Sequence, residues 1–167
     1  MRLKKHYTSR EVASLTGLTA RQLQWWDRHG IFAPSIRPQK TEAGGYTERR
    51  YTPVELLELM VMGDLRRRGF SMARVRRLLE ALQQRFKVRL FEAIEGGGPV
   101  MLFVDGKDIY ARTEAGEFYN VLDDPAQPLL VLGQEPRFRQ LTAREHHARP
   151  RPGVAPKRPP RRPAPRP

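Results

Sequence analysis

The sequence predicts an α+β chain with four helices and a β-hairpin, then a small antiparallel sheet, then a disordered basic tail. Three observations support this prediction. Helix-capping signals recur through the first ninety residues, apolar residues change from helical spacing to alternation after Pro99, and the last twenty residues hold 8 prolines. We expect three regions, at residues 6–86, 87–135 and 136–167.

The charge of the chain is divided along its length. The 167 residues include 31 Lys and Arg and 18 acidic residues, a formal net charge of +13. Residues 1–90 hold 19 basic and 8 acidic residues, residues 91–147 hold 5 and 10, and residues 148–167 hold 7 and none. This division predicts an N-terminal region that faces nucleic acid, an acidic middle module and a basic tail.

The composition also excludes several classes of protein. Cysteine is absent, which excludes thiolate metal sites, disulfides and cysteine nucleophiles. Four aspartates are candidate metal ligands, but we interpret them as turn residues: Asp105, Asp108, Asp123 and Asp124. With no catalytic motif either, we predict no enzyme, no cofactor and no metal. No apolar run approaches the roughly 18 residues that span a bilayer, so we expect no membrane partner and a cytoplasmic, nucleoid-associated location.

Two short helices are predicted to follow one another almost directly. Capping boxes at residues 8–11 and 19–22 begin them, and Gly17 and Gly30 end them. Because only Leu18 lies between the first helix's end and the second box, the helices must cross steeply, as in a helix-turn-helix.

The second helix has two distinct faces. Leu23 and Trp26 are expected to face inward. The opposite stripe, with i, i+3, i+4 and i+7 spacing, consists of Arg21, Gln24, Trp25 and Arg28. Arg and Gln are side chains that reach base edges and phosphates, so the stripe predicts DNA contact. The alternative is an ordinary solvated face with Trp25 against the next loop.

A hairpin is predicted around Gly44-Gly45, with 35–40 and 46–51 as its arms. We call residues 35–51 the wing. Its basic residues are Arg37, Lys40, Arg49 and Arg50. A basic hairpin beside such a helix is suited to hold backbone phosphates, and the alternative is a plain charged loop.

Two longer helices are predicted to follow the wing. Thr52, with Pro53 and Glu55, begins one that continues to Gly69, and Ser71 begins another whose apolar spacing runs to Phe86. Six arginines decorate this pair: Arg66, Arg67, Arg68, Arg74, Arg76 and Arg77. So many favour a phosphate-facing surface, although some must point away.

The acidic module is expected to be a four-stranded antiparallel sheet. Residues 100–104 and 107–112 form a hairpin, residues 117–122 and 129–132 form two further strands, and a helix within 86–95 covers the sheet. Without catalytic residues, this module is expected to bind: it dimerises the chain, senses a small molecule or docks another protein.

Five segments together resemble the MerR-type winged helix-turn-helix: residues 7–13, 16–19, 23–31, 50–53 and 65–71. The resemblance covers about residues 6–85. It implies a transcription regulator that binds operator DNA as a dimer, with the second helix in the major groove and the wing on flanking backbone.

The chain departs from the family pattern at several places. Gln24 stands where the family usually has Arg, and Trp25-Trp26 replaces its common Tyr pair. The family's long dimerisation helix does not follow, because residues 95–99 (EGGGP) break any helix. A homodimer, and a protein partner or small effector at residues 87–135, therefore remain candidates beside duplex DNA.

From the stripe, the wing and the resemblance we expect sequence-specific binding to double-stranded DNA. The predicted contact residues are Thr19, Arg21, Gln22, Gln24, Trp25, Arg28, Arg37, Lys40, Arg49, Arg50 and Tyr51. The alternative function is a DNA-binding antitoxin whose acidic middle module binds a toxin.

Overall fold

A computed structural model describes residues 3–94, 96–130 and 139–143 of the chain. The described residues form the helices α1 (Ser9–Thr16), α2 (Ala20–Arg28), α3 (Pro53–Arg67), α4 (Met72–Ala81) and α5 (Leu90–Ile94), with a π-helical turn at Leu82–Phe86. They form the strands β1 (Tyr7–Thr8), β2 (Arg50–Tyr51), β3 (Val100–Asp105), β4 (Asp108–Thr113), β5 (Phe118–Asn120), β6 (Asp124–Leu129) and β7 (Arg139–Gln140). The α+β class predicted from the sequence is confirmed.

All four predicted N-caps are present. Thr8, Thr19 and Thr52 each form a complete capping box, in which the threonine hydroxyl accepts a backbone N–H and the third helical residue's side chain accepts the cap's own N–H. The Ser71 hydroxyl accepts from the Arg74 N–H at the start of α4. These caps satisfy donors that the first helical turns leave unpaired, so local sequence fixes where the helices begin.

The first helix packs very closely against α3. A Cβ added at Gly63 of α3 would lie 2.8 Å from the Thr16 carbonyl oxygen at the end of α1. Only glycine permits this approach. Leu59, Met62 and Leu65 of α3 are fully buried around it, so α3 is the element on which the two short helices are held.

The predicted wing is confirmed as a hairpin with few ladder bonds. Antiparallel bridges join Ile36 to Arg50 and Lys40 to Tyr46. The turn between them places Gly44 at φ 85°, a backbone region that favours glycine. The base of the wing is extended by β1, which pairs antiparallel with β2.

The C-terminal strands form a five-stranded antiparallel sheet in the order β6-β5-β4-β3-β7. Strands β3 to β6 form a meander, and β7 returns to the open edge of β3. Alternate residues of β3, namely Val100, Leu102 and Val104, are buried on one face. The predicted helix that covers the sheet is α5, which contacts β3.

The last predicted strand, residues 129–132, is misplaced. The strand is β6, which begins at Asp124 and shares only Leu129 with the prediction, and residues 131–132 lie outside the described part of the chain. The turn comes earlier because the Asn120 side-chain oxygen accepts from the N–H groups of Leu122 and Asp123, at 3.1 and 3.2 Å. Pro125 follows in a sheet-edge strand, where a missing N–H is tolerated.

Two predicted boundaries also need correction. The fourth helix ends at Ala81, and a π-helical turn completes the predicted span to Phe86, followed by Lys87 at φ 57°. The acidic module does not end at residue 135, because β7 pairs with β3 and Leu141 is 1% exposed. The sequence offered little signal there, since β7 is a two-residue polar strand.

The helical and sheet regions share one core. Buried apolar residues form a single cluster from Tyr7 through Leu59 and Leu82 to Leu102 and Leu141. Residues 6–86 and the module that follows are thus packed together rather than separate. The tail predicted to be disordered lies outside the described residues, apart from residues 139–143.

Candidate nucleic-acid interface

Helix α2 has the two faces that the sequence predicts. Leu23 and Trp26 are buried beneath the helix. Arg21 and Arg28 are exposed on the opposite side, and Gln24 is half-buried between them. Within the described residues, the two arginines have no hydrogen-bond or ion-pair partner. Their guanidinium groups are available to an external anion.

The wing and α2 enclose a groove of about 1040 Å³. Its lining residues are Ser9, Ala20, Arg21, Gln24, Asp27, Arg28, Arg37, Pro38, Tyr46, Thr47, Glu48 and Arg49. Five of the predicted contact residues meet here: Arg21, Gln24, Arg28, Arg37 and Arg49. The groove therefore unites the recognition stripe with part of the wing.

Other predicted contact residues lie on the surface but outside the groove's lining. Lys40 is exposed beside the turn of the wing, and Arg50 is exposed on β2. Trp25 is 44% exposed and stacks on His29, with ring centroids 3.9 Å apart. The imidazole of His29, the C-cap residue of α2, thus covers part of the indole. The sequence suggested DNA, a partner or the next loop as the cover for Trp25.

Thr19 and Gln22 are exposed at the N-terminus of α2. The Gln22 N–H donates to the Thr19 hydroxyl at 3.0 Å, and the Thr19 N–H donates to the Gln22 side-chain oxygen at 2.8 Å. Both side chains therefore serve the helix cap. The helix N-terminus they mark carries partial positive charge, which favours a phosphate nearby.

Tyr51 is wrongly predicted as a contact residue. It is 1% exposed and belongs to the core between β1 and α3, so its side chain offers no surface to DNA. Burial raises the pKa of its hydroxyl. An aromatic residue next to exposed Arg50 gave no sequence signal for its orientation; alternation along β2 places it inward.

Sequence reasoning missed five groove residues with hydrogen-bonding side chains: Ser9, Asp27, Tyr46, Thr47 and Glu48. Tyr46 is 72% exposed on the wing, and Ser9 is the first residue of α1. The position of Tyr46 beside Gly44-Gly45 was the available signal, because it places a large side chain at a hairpin tip. Nothing in the local sequence of Ser9 indicated that α1 would face the wing.

The six arginines of α3 and α4 do not form the expected phosphate-facing surface. Each donates to a group of the chain itself. The acceptors are the carbonyls of Phe70 for Arg66, Thr16 for Arg67, Lys107 for Arg74, His29 for Arg76 and Leu122 for Arg77, and the Asp64 carboxylate for Arg68. Arg67 and Arg76 thereby join helices to one another, and Arg74 and Arg77 join α4 to turns of the sheet.

An ion pair between Asp27 and Arg49 lies inside the groove. Arg49 Nε lies 3.0 Å from Asp27 Oδ2, and the two side chains are 25% and 14% exposed. Arg49 thus lines the groove with its guanidinium already engaged. Among the described residues, no group of three or more His, Asp or Glu side chains could hold a metal ion.

An exposed basic helix face set beside a basic hairpin, on a small helical core, defines a winged helix-turn-helix DNA-binding domain. Comparison with known proteins agrees with the resemblance seen in the sequence. Residues 7–82 match the family described as MerR HTH family regulatory protein. This segment of the chain is therefore similar to the MerR-type helix-turn-helix.

The chain is also similar to curated relatives and to a solved structure. The chain is 28% identical over 136 residues to HTH-type transcriptional regulators of Mycobacterium bovis and of two strains of Mycobacterium tuberculosis. The matches cover 81% of this chain and 56% of each relative, so the chain spans about half the relatives' length. A MerR-family transcriptional regulator from Bacillus cereus matches with 28% identity, 48% of this chain, 53% of that chain and a TM-score of 0.36.

The described part of the chain has no helix that is long and apolar enough to cross a membrane. The names of the matched relatives give no support to the antitoxin alternative.

Proposed function

We propose that the chain regulates transcription by sequence-specific binding to duplex DNA. Helix α2 enters the major groove, and the wing contacts the flanking backbone. The observation that carries this proposal is the groove between them, where Arg21, Gln24 and Arg28 of α2 face Arg37 of the wing. Residues with the chemistry to read bases and residues with the charge to hold phosphates lie on one surface.

The side chains of α2 favour base reading over simple charge attraction. Arginine binds the O6 and N7 atoms of guanine with two hydrogen bonds, and glutamine makes the equivalent pair with adenine. Arg21 and Arg28 have no competing acceptor among the described residues, so both guanidinium groups can make such contacts. The exposed cations of the wing, Arg37, Lys40 and Arg50, supply phosphate contacts that position α2 without reading sequence.

The remaining parts of the proposal concern assembly and location. We propose that two copies bind adjacent half-sites, and that the module from residue 87 onward mediates dimerisation, an effector response or partner docking. We also propose that the activity is binding without catalysis, in the cytoplasm at the nucleoid. The basis is the family match together with the acidic charge of residues 91–147, which disfavours a second DNA-binding surface there.

The test starts from selection of duplexes from a random library with the full chain. Affinity for a selected duplex and for a random duplex is then measured at one salt concentration. Arg21→Ala should weaken binding to the selected duplex by about 1–3 kcal/mol and relax its sequence preference. The matched control is Arg85→Ala, which removes the same charge from a side chain that lies over the Phe86 and Tyr119 rings, away from the groove.

The control should retain the preference for the selected duplex. If selection enriches no sequence, or if Arg21→Ala and Arg85→Ala lose affinity equally, α2 does not read bases and the proposal fails.

A further inference from the structure

We infer that Asp27 and Arg49 are positioning residues: their ion pair fixes the wing against α2 and sets the geometry with which both meet DNA. This inference rests on the proposed function. It reassigns Arg49, which the sequence predicts as a phosphate contact, and gives a role to an acidic residue inside the basic groove.

The first observation is the geometry of the pair. Arg49 Nε lies 3.0 Å from Asp27 Oδ2, and the two residues are 22 positions apart, on the wing and on α2. Both side chains are largely covered, which shields the pair from solvent screening. Asp27 is half-buried and lies between buried Trp26 and exposed Arg28, at the border between the core-facing and groove-facing sides of α2.

The second observation is a matching attachment on the wing's other arm. Glu55 of α3 is 4% exposed, and its Oε1 accepts the Ser35 N–H at 2.8 Å and also the Ser35 hydroxyl. Its other oxygen, Oε2, accepts the Thr52 N–H at 2.7 Å in the α3 capping box. One carboxylate therefore fastens each arm: Glu55 at Ser35 and Asp27 at Arg49.

The wing depends on these attachments because it has no continuous strand ladder of its own. The pairing between its arms consists of two isolated bridges, Ile36 with Arg50 and Lys40 with Tyr46. A short hairpin has little stability in isolation. External anchors must therefore set its direction relative to α2, which decides whether the wing and α2 reach DNA together.

The charge of Asp27 makes the direction of the change in DNA affinity a test of the inference. A carboxylate in a groove that receives DNA repels phosphates, so on electrostatic grounds alone its removal should tighten binding. If Asp27 positions the wing, its removal should instead weaken specific binding. The two explanations thus predict opposite directions for the same variant.

The binding experiment compares Asp27→Asn with Glu48→Gln in the full chain. Glu48 lines the same groove, is exposed and has no partner among the described residues, so its variant removes equal charge without removing an anchor. We expect Asp27→Asn to weaken binding to a selected duplex by about tenfold. Glu48→Gln should tighten binding to selected and random duplexes alike. An Asp27→Asn variant that tightens binding as Glu48→Gln does would overturn the inference.

A charge swap keeps the test decisive if the single variant folds poorly. Asp27→Arg combined with Arg49→Asp restores an ion pair with reversed polarity and leaves the net charge unchanged. Its control is Glu48→Arg combined with Arg49→Asp, which has the same net charge in the same groove but no restored pair. The swapped pair should bind the selected duplex more tightly than this control. A swapped pair no better than the control contradicts a positioning role.

Amide hydrogen exchange tests the inference without DNA, so its failure and the failure of the proposed function can be told apart. The Arg50 N–H donates to the Ile36 carbonyl at 3.1 Å and the Thr47 N–H to the Gln39 carbonyl at 2.7 Å. Both amides should exchange faster in Asp27→Asn and unchanged in Glu48→Gln. Unchanged exchange in both variants would show that the pair does not hold the wing, whatever the DNA results.

Discussion

Many of the arginines of this molecule fall into two groups, those that are free and those that are hydrogen-bonded within the chain. Arg21 and Arg28 of α2 and Arg37 of the wing are exposed and have no acceptor among the described residues. Those on α3 and α4 donate to carbonyls or carboxylates of the chain, as Arg67 does to Thr16 and Arg76 to His29. The difference teaches that a high density of basic residues does not by itself mark a surface of free cations.

The engaged arginines share a physical logic. Thr16 is the last residue of α1 and His29 is the C-cap of α2. Helix C-termini present unpaired carbonyls and partial negative charge, which guanidinium groups satisfy. Arg74 and Arg77 reach from α4 to the sheet, where Arg77 donates to the Leu122 carbonyl at 2.8 Å. These cations hold the domain together before any DNA is present.

The largest effect on the engaged side of this comparison is expected at Arg89. It makes two hydrogen bonds to the buried Glu58 carboxylate, at 2.7 and 3.2 Å, and this partner raises its pKa. Arg89→Ala should lower the free energy of unfolding by about 2 kcal/mol, because the buried Glu58 carboxylate loses its partner. The 62% exposure of the Arg89 side chain keeps the loss below that of a fully buried pair. Urea unfolding followed by tryptophan fluorescence measures it.

A second substitution separates the charge from the packing. Glu58→Gln in the Arg89→Ala background should recover part of the lost stability, since a neutral amide is less costly to bury and still accepts the Phe91 N–H. If Arg89→Ala is as stable as the original chain, this pair does not join α3 to the segment before α5.

A smaller loss of stability is expected at Arg67. Its Nη1 donates to the Thr16 carbonyl at 2.6 Å, close to the tight contact at Gly63. Arg67→Ala should cost about 1–2 kcal/mol of unfolding free energy, the range for a hydrogen bond from a charged donor. The salt dependence of DNA binding, measured under conditions where the variant is folded, should not change. A flatter salt dependence would move Arg67 to the DNA-contacting group.

The sequence predicted the helix starts and the exposed stripe of α2, because both depend on residues close together along the chain. Thr8, Thr19 and Thr52 mark helix starts through capping boxes with the residues three positions later. Leu23 and Trp26 lie on the face opposite the arginine stripe, which orients α2. The internal acceptors could not be predicted: Thr16 lies 51 positions before Arg67. The inward orientation of Tyr51 and the return of β7 to β3 likewise depend on tertiary packing that no local pattern encodes.

The basic tail, residues 148–167, holds 7 Lys and Arg and no acidic residue, and we expect it to contribute to DNA binding by charge alone. A chain truncated after residue 147 should bind selected and random duplexes more weakly by similar factors. Its ratio of affinities should stay the same, and the loss should shrink as added salt reduces the Debye length to about 3 Å at 1 M. Lost discrimination with intact random-duplex affinity would mean that the tail reads sequence.

The most direct test of the division between free and engaged arginines compares Arg28→Ala with Arg76→Ala. Both arginines are exposed and both variants lose one charge, but only Arg76 donates to a chain carbonyl, that of His29 at 2.8 Å. The measurement is the slope of log affinity against log salt on a selected duplex. Arg28→Ala should flatten the slope by about 1 and Arg76→Ala should leave it unchanged. A slope flattened by Arg76→Ala and unaffected by Arg28→Ala would contradict the account.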